Sequence, residues 1–268
     1  MTVTAEQVRR FQQDGVVVLR QAFSPDWLMR VARGIERNMA SPSPRGGYAD
    51  DSARAFFQDS DNWTRIEAFR DFAFHSPAKE IVAALMEASK INFVHDHVLV
   101  KRPGTVKRTL WHQDQPYSPI DGRQFCTLWL PVDPVARDAT LEFVAGSHLQ
   151  GVWYRPQRFS TGELRDDDDP RWTPTPDIDA DRERFPILGW ALEPGDAVVF
   201  SALTLHAAPG NPGAVDRRVL STRWAGDDAR FRRRSGEMSP PPPEIDAPVD
   251  GAVLDCPAFP VVWRQVQT

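Results

Sequence analysis

His112-Gln113-Asp114 sets an imidazole and a carboxylate two residues apart, directly after the strand-like Thr109-Leu110-Trp111. On a β-strand residues i and i+2 share a face, so both side chains point to one side, as ligands of a shared ion must. A second histidine, His206, lies far downstream in another apolar segment, Thr204-Leu205-His206-Ala207. Two histidines and one carboxylate on one face of an octahedral ion leave three positions open. Non-haem iron(II) oxygenases use that arrangement to bind a co-substrate and O₂. A bare His-x-Asp is common by chance, so the downstream context carries the weight. Arg217 opens the strand-like run Arg217-Arg218-Val219-Leu220-Ser221-Thr222-Arg223. An arginine there can pair bidentately with a dicarboxylate, although an isolated strand arginine more often makes a surface ion pair.

These residues need strands to present them, and the chain supplies strands after a helical start. Thr4 and Gln7 form a capping-box pattern ahead of Val8 and Phe11, and Gly15 marks the end of that helix. Val16-Val17-Val18-Leu19 reads as a short buried strand. Ser24-Pro25-Asp26 opens a second helix with Leu28, Val31, Ala32 and Ile35 on one face. Residues 40–62 are rich in Pro, Gly, Ser and Asp and read as loop; a third helix is expected around Pro77 to Ser89. From Asn92 onward short apolar runs alternate with turn signals. They are Phe93–Lys101, Thr109–Trp111, Phe125–Val132, Leu141–Val144, Asp196–Ser201, Thr204–Ala207 and Arg217–Trp224. Helices first and many short strands afterwards predict a mainly β molecule with a helical flank and a jelly-roll or cupin-like barrel.

Two segments interrupt the pattern. Residues 150–187, with the acidic run Asp166 to Asp169, read either as a lid over a site or as a solvated insertion. The proline-rich stretch Ser239 to Asp250 reads as a stiff connector. We expect one domain over 1–268: a mainly helical flank at 1–91, then a β core at 92–268 carrying the insertion at about 150–187.

Bulk properties narrow the function class. The hydrophobic fraction of 41% and charged fraction of 26% are those of a globular protein. A net charge of −5 and a pI near 5.7 argue against a nucleic-acid partner. Arg232-Arg233-Arg234 is the one dense basic run and reads as a solvated loop. Cys126 and Cys256 form neither a disulfide framework nor a zinc pattern. No secretory leader or membrane span is evident, so a soluble, cytoplasmic protein is expected, with no membrane partner.

Further pieces join the metal motif in a fixed order: Thr4-Ala5-Glu6-Gln7, Phe11, Asp14-Gly15, Lys101-Arg102-Pro103-Gly104 and Trp111-His112-Gln113-Asp114. Then come Gly146-Ser147-His148, Pro194-Gly195-Asp196, Phe200, His206, Asn211 and Arg217-Arg218. With these motifs the chain resembles the phytanoyl-CoA dioxygenase family of iron(II)- and 2-oxoglutarate-dependent oxygenases, over nearly its whole length. The resemblance implies a double-stranded β-helix core with His112, Asp114 and His206 as iron(II) ligands. It implies that Arg217 binds the far carboxylate of 2-oxoglutarate and that Trp129 lies beside this co-substrate. Thr127 shares Trp129's face by strand alternation, and Lys101 ends a strand near the site in such folds. A core aromatic and a solvated turn lysine are the plainer readings of Trp129 and Lys101. The implied reaction consumes O₂, releases succinate and CO₂, and oxidises a small-molecule substrate. Because related halogenases lack the carboxylate, Asp114 favours hydroxylation.

The chain departs from the family in two places. Ala208 stands where some members have a co-substrate-binding serine, and Asp138-Ala139 replaces a usual Asn-Gly. His95 and His97 mimic a metal pair but lack a third ligand and read as pocket wall or core, while His148 reads as a turn residue. Arg223, Arg102, Lys107 and Arg108 could read an anionic substrate or simply be solvated. Trp111, Tyr117, Phe125 and Trp224 could line an apolar pocket. Two other readings stay open: a metal-dependent cupin-type isomerase or hydrolase, which leaves Arg217 without a dicarboxylate, and a non-catalytic small-molecule-binding protein on the same fold. Nothing in the sequence bears on oligomeric state.

Overall fold

The computed structural model describes residues 2–49, 55–158, 162–165, 169–241 and 247–266. Asp166 to Asp168 of the acidic run, and Pro242 and Pro243, lie outside them. The helices are α1 (Ala5–Asp14), α2 (Pro25–Ala40), α3 (Glu67–His75) and α4 (Ala78–Met86). The first strands are β1 (Val16–Leu19), β2 (Gly47–Tyr48), β3 (Phe56–Ser60), β4 (Lys90–Lys101), β5 (Thr109–His112) and β6 (Ile120–Asp121). Next come β7 (Phe125–Pro131), β8 (Glu142–Val144), β9 (Trp153–Tyr154), β10 (Trp172–Thr173) and β11 (Ile187–Leu188). The last are β12 (Ala197–Ser201), β13 (His206–Ala208), β14 (Arg217–Ala225), β15 (Arg230–Phe231) and β16 (Val261–Arg264).

A major antiparallel sheet runs β1-β12-β7-β14-β4-β3-β2, with β16 added to β4. A minor sheet runs β11-β8-β13-β5. The two are separate ladders, not one closed barrel, and the arrangement is the jelly roll with a helical layer that the sequence predicts. Trp129, Val198, Phe200 and Val219 of the major sheet pack with Leu141, Phe143 and Ala208 of the minor one. The opposite face of the major sheet packs Cys126, Leu128, Leu130 and Leu220 against Phe11, Ile35, Phe72 and Ile81 of the helices. β7 is therefore buried along its whole length, which explains its mainly apolar sequence.

The helix starts and stops follow local chemistry. Thr4 accepts a hydrogen bond from the Gln7 N–H at 3.2 Å, and the Gln7 side chain accepts one from the Thr4 N–H at 2.8 Å. α1 ends at Gly15 with φ +76°, where a side chain would be strained. At this end the Gly15 carbonyl accepts from Ser201 N–H and from Thr204 Oγ1, both at 2.8 Å. The helix thus docks on the turn between β12 and β13.

Two expectations need correction. Residues 40–62 are not all loop: β2 and β3 lie there and extend the major sheet next to β4. α3 was not foreseen either, because Ile66 precedes it with no side-chain cap, and its inward Phe69, Phe72 and Ala73 carry the only periodic signal.

The insertion is partly ordered against the site. Gln113 donates to the carbonyls of Val152 (3.0 Å) and Leu203 (2.8 Å) and accepts from Tyr154 N–H at 2.9 Å. Arg171 and Arg234 both stack on Trp153, 4.3 and 5.1 Å from its ring centre. Arg234 is buried, donating to the carbonyls of Ser118 and Ile120 and to Asp121. The third member of the basic run is therefore not solvated. Among the described residues no helix is long and apolar enough to cross a membrane.

Candidate metal centre and co-substrate pocket

β13 pairs antiparallel with β5, and His206 is the register partner of His112. This brings the two imidazoles to 4.1 Å between ring centres. β5 ends at His112, and Asp114 has helical backbone angles (φ −74°, ψ −37°) at the start of a 3₁₀ turn, Gln115–Tyr117. The carboxylate thus reaches the histidines from a turn and not from a strand face. Its Oδ1 lies 3.5 Å from His112 Nε2 and 3.8 Å from His206 Nε2. One donor atom from each residue falls within 4.8 Å of the others.

Backbone carbonyls fix the tautomers. His112 Nδ1 sits 2.7 Å from Leu110 O, and His206 Nδ1 sits 2.9 Å from Thr204 O. A carbonyl only accepts, so each Nδ1 carries the proton and each Nε2 keeps its lone pair for a metal. Burial, reinforced by His112, pushes His206 down to about 3, so it is neutral at physiological pH, as ligation requires. Asp114 is equally constrained. Its Oδ2 accepts from Thr127 Oγ1 at 2.6 Å and from Arg223 Nη2 at 3.2 Å, leaving Oδ1 towards the histidines. Burial would raise this carboxyl, but Arg223 and the two histidines hold it well below the usual range.

The triad opens on a cavity of about 240 Å³ between the sheets. At one end Lys101 and Arg217 are register partners on β4 and β14, only 1% and 5% exposed. Lys101 Nζ donates to the carbonyls of Lys107 (2.8 Å) and Pro209 (2.9 Å). Arg217 donates to those of Ala139 and Gly210. Among the described residues neither has a carboxylate partner. Burial, then the Arg217 charge, lowers Lys101 to about 6, and burial lowers Arg217 to about 10. Trp129, Leu141, Ala208 and Val219 line the cavity with them. The donor set, two imidazole nitrogens and one carboxylate oxygen, suits iron(II); the buried Arg217 guanidinium, with the Lys101 amine beside it, suits a dianion.

Of the residues singled out from the sequence, His112, Asp114, His206, Arg217, Lys101 and Trp129 line this one cavity. Lys101 is no solvated turn lysine. Thr127 faces Asp114 and is not part of the cavity wall. His95 and His97 are wall, as are Tyr117 and Phe125. Trp111 instead packs with Tyr154 and Ile178, and Trp224 lies in the core beneath the helices. Arg102 and Arg108 are exposed. Sequence reasoning missed Gln58 and Ser60, because it read their strand as loop. It also missed Arg165, which the insertion lays 4.6 Å from the Tyr117 ring centre. No signal marked that arginine among its neighbours.

A family model described as phytanoyl-CoA dioxygenase (PhyH) matches residues 11–219. A probable phytanoyl-CoA dioxygenase of Caenorhabditis elegans is 24% identical over 253 residues, covering 84% of this chain and 76% of that protein. The non-heme alpha ketoglutarate dependent carbocyclase SnoK from nogalamycin biosynthesis superposes with a TM-score of 0.76 at 19% identity, covering 98% of this chain and 97% of that one. EctD from S. alaskensis, solved with 2-oxoglutarate and 5-hydroxyectoine, gives 0.71 at 15% identity, covering 94% and 86%. These two solved structures share the fold.

Proposed function

The chain belongs to the phytanoyl-CoA dioxygenase family, and on that premise we propose that it is an iron(II)- and 2-oxoglutarate-dependent oxygenase that hydroxylates a small molecule. His112, Asp114 and His206 would hold the iron. Arg217 and Lys101 would take the far carboxylate of 2-oxoglutarate, and Trp129 would flank its chain. With O₂, the bound iron and co-substrate supply the oxidant, as 2-oxoglutarate becomes succinate and CO₂ and one oxygen atom goes to the substrate. The protein orients the reactants and excludes water. Thr127 and Arg223 keep Asp114 aimed by one oxygen, and the Leu110 and Thr204 carbonyls keep both Nε2 atoms unprotonated. The retained Asp114 speaks for oxygen transfer over halogenation, because it fills the position a halide would need.

One observation carries this reading: a buried arginine and a buried lysine amine, neither with a carboxylate partner among the described residues, lie in the cavity that the His–Asp–His cluster opens on. A metal-dependent isomerase or hydrolase would use the cluster and leave Arg217 and Lys101 without an acidic partner. The test is succinate formation from 2-oxoglutarate with iron(II) and ascorbate, beside calorimetric binding of 2-oxoglutarate. His112→Ala should abolish metal binding. Arg217→Leu should weaken 2-oxoglutarate binding by about 10- to 100-fold, as expected for charge-assisted hydrogen bonds of about 1.5–3 kcal/mol. A wild-type chain that neither binds 2-oxoglutarate nor makes succinate would rule the reading out.

A further inference from the structure

The cavity floor is a grid set by strand register. Along β4, Lys101, Leu99, His97 and His95 share one face. Their partners on β14 are Arg217, Val219, Ser221 and Arg223, and β3 places Gln58 beside Leu99 and Ser60 beside His97. The grid changes character along its length. Around the Lys101–Arg217 end the walls are apolar, with Leu141, Ala208 and Val219. Past Leu99 the floor turns polar, with Gln58, Ser60 and His97 all half-buried and lining the cavity.

These three side chains make no hydrogen bond among the described residues, although most polar groups around them do. The charged side chains on this part of the wall are already matched. Arg223 holds Asp114, and Arg45 pairs with Asp61 at 2.9 Å. Arg165 meets Glu237, and Asp59, directed to the other face of β3 from Gln58, accepts from Asn38 and Ser43. These three side chains thus offer a ligand a neutral imidazole, a hydroxyl and an amide, and Ser118 Oγ, also in the wall and without a partner among the described residues, adds a second hydroxyl. His97 is kept neutral by burial, then by Arg223. An alkyl chain lying here would strand three hydrogen-bonding groups away from water, and among the described residues a charged group would meet side chains already engaged in ion pairs. Space adds a limit. The cavity is smaller than typical ligand pockets of roughly 300–1,000 Å³, and 2-oxoglutarate must share it.

We propose that Gln58, Ser60 and His97 form the substrate-recognition wall, and that the substrate is a compact, uncharged polyhydroxylated molecule (a polyol or sugar-like ring) and not a branched acyl chain. The proposal rests on the oxygenase reading above. His97 and its neighbours bind and orient hydroxyl groups opposite the metal centre, while the apolar end accommodates the co-substrate.

The test uses the full chain loaded with iron(II) and 2-oxoglutarate. Oxygen-free calorimetry first establishes 2-oxoglutarate binding; failure there defeats the oxygenase reading, separately from this one. myo-Inositol and methyl α-D-glucopyranoside are then compared with hexan-1-ol and phytanoyl-CoA, by oxygen-free binding and by stimulation of succinate release. A polyhydroxylated probe should bind and stimulate, and the two alkyl-chain probes should not. His97→Leu and Gln58→Leu should each weaken that binding about tenfold, the effect of one lost hydrogen bond. Ser60→Ala, a mild change on a short strand, should weaken it less, and the 2-oxoglutarate titration run on each variant reports whether the pocket is folded. Stimulation by phytanoyl-CoA without any by the polyhydroxylated probes would overturn the proposal. So would absence of binding by both of those probes, or unchanged affinity in all three variants.

Discussion

Asp114 shows how much of a candidate metal site rests on residues outside the His–Asp–His cluster itself. One oxygen faces two imidazoles, and the other is held by Thr127 and Arg223. Thr127→Val or Arg223→Met would free the second oxygen and let the carboxylate turn. Iron(II) affinity, read by oxygen-free calorimetry, should fall about 10- to 100-fold, the usual cost of losing an outer-shell partner. Arg223→Lys should recover part of the loss, because it restores the charge without the planar fork; unchanged affinity in both Thr127→Val and Arg223→Met would show that Asp114 needs no support. Lys101 makes a different prediction. Its amine is lowered to about 6 by burial first and then by Arg217, so at pH 7–8 most of it is neutral. A bound dianion favours the charged form, so 2-oxoglutarate should be taken up together with a proton, and its affinity should fall as pH rises above about 6. Calorimetry in buffers of different ionisation enthalpy measures that proton, and Lys101→Met should abolish it. That His112, Asp114, His206 and Arg217 meet in one cavity was legible in the sequence because their types and order are rare together. The burial of Lys101 and the partner of Arg223 were not, because both depend on cross-strand neighbours far away in the chain.

At the scale of elements, α1 supports the metal centre without approaching it. Its terminal Gly15 carbonyl is held by Ser201 and Thr204, and the Thr204 carbonyl orients His206. A Cβ on Gly15 would lie 2.4 Å from both His148 Nδ1 and Thr204 Oγ1, at a φ of +76°. Gly15→Ala should therefore cost about 1–3 kcal/mol of stability, measured by urea denaturation, and should also weaken iron binding. A stability loss with intact metal affinity would show that the helix and His206 are uncoupled. The capped helix and the long apolar strands were readable because caps and alternation are local signals. β3 was hidden because Phe56-Phe57-Gln58-Asp59-Ser60 does not alternate cleanly: Asp59 is buried on the face away from Gln58, paired with Asn38 and Ser43. The turn around Asp138-Ala139 forms despite its unusual sequence, and the Ala139 carbonyl accepts from Arg217.

For the whole molecule, the jelly roll was legible as a class, since helices followed by short strands leave few ways to bury both. How residues 40–75 divide was not, because β2 and β3 join a sheet whose other strands come mostly much later. The outer face of β4 also carries a charge the fold tolerates poorly. Asp96 is fully buried, accepts from the N–H groups of Asn62 and Trp63, and is pushed up to about 7 by burial, with Asp61 adding to it. A raised carboxyl stabilises the fold below the ordinary carboxylate range, and that stability is lost as pH rises through about 7. Asp96→Asn keeps an acceptor and removes the titration, so its urea midpoint should fall less than that of the wild type between pH 4 and 8; parallel curves would exclude Asp96 as the source. The pairing of His206 with His112 reaches furthest. A one-residue slip of β13 would turn His206 to the opposite face, so a bound ion stabilises a single alignment of the minor sheet. Before those two strands pair, the chain brings together only His112 and Asp114 of the three side chains, so the full His–Asp–His cluster exists only in the correct alignment.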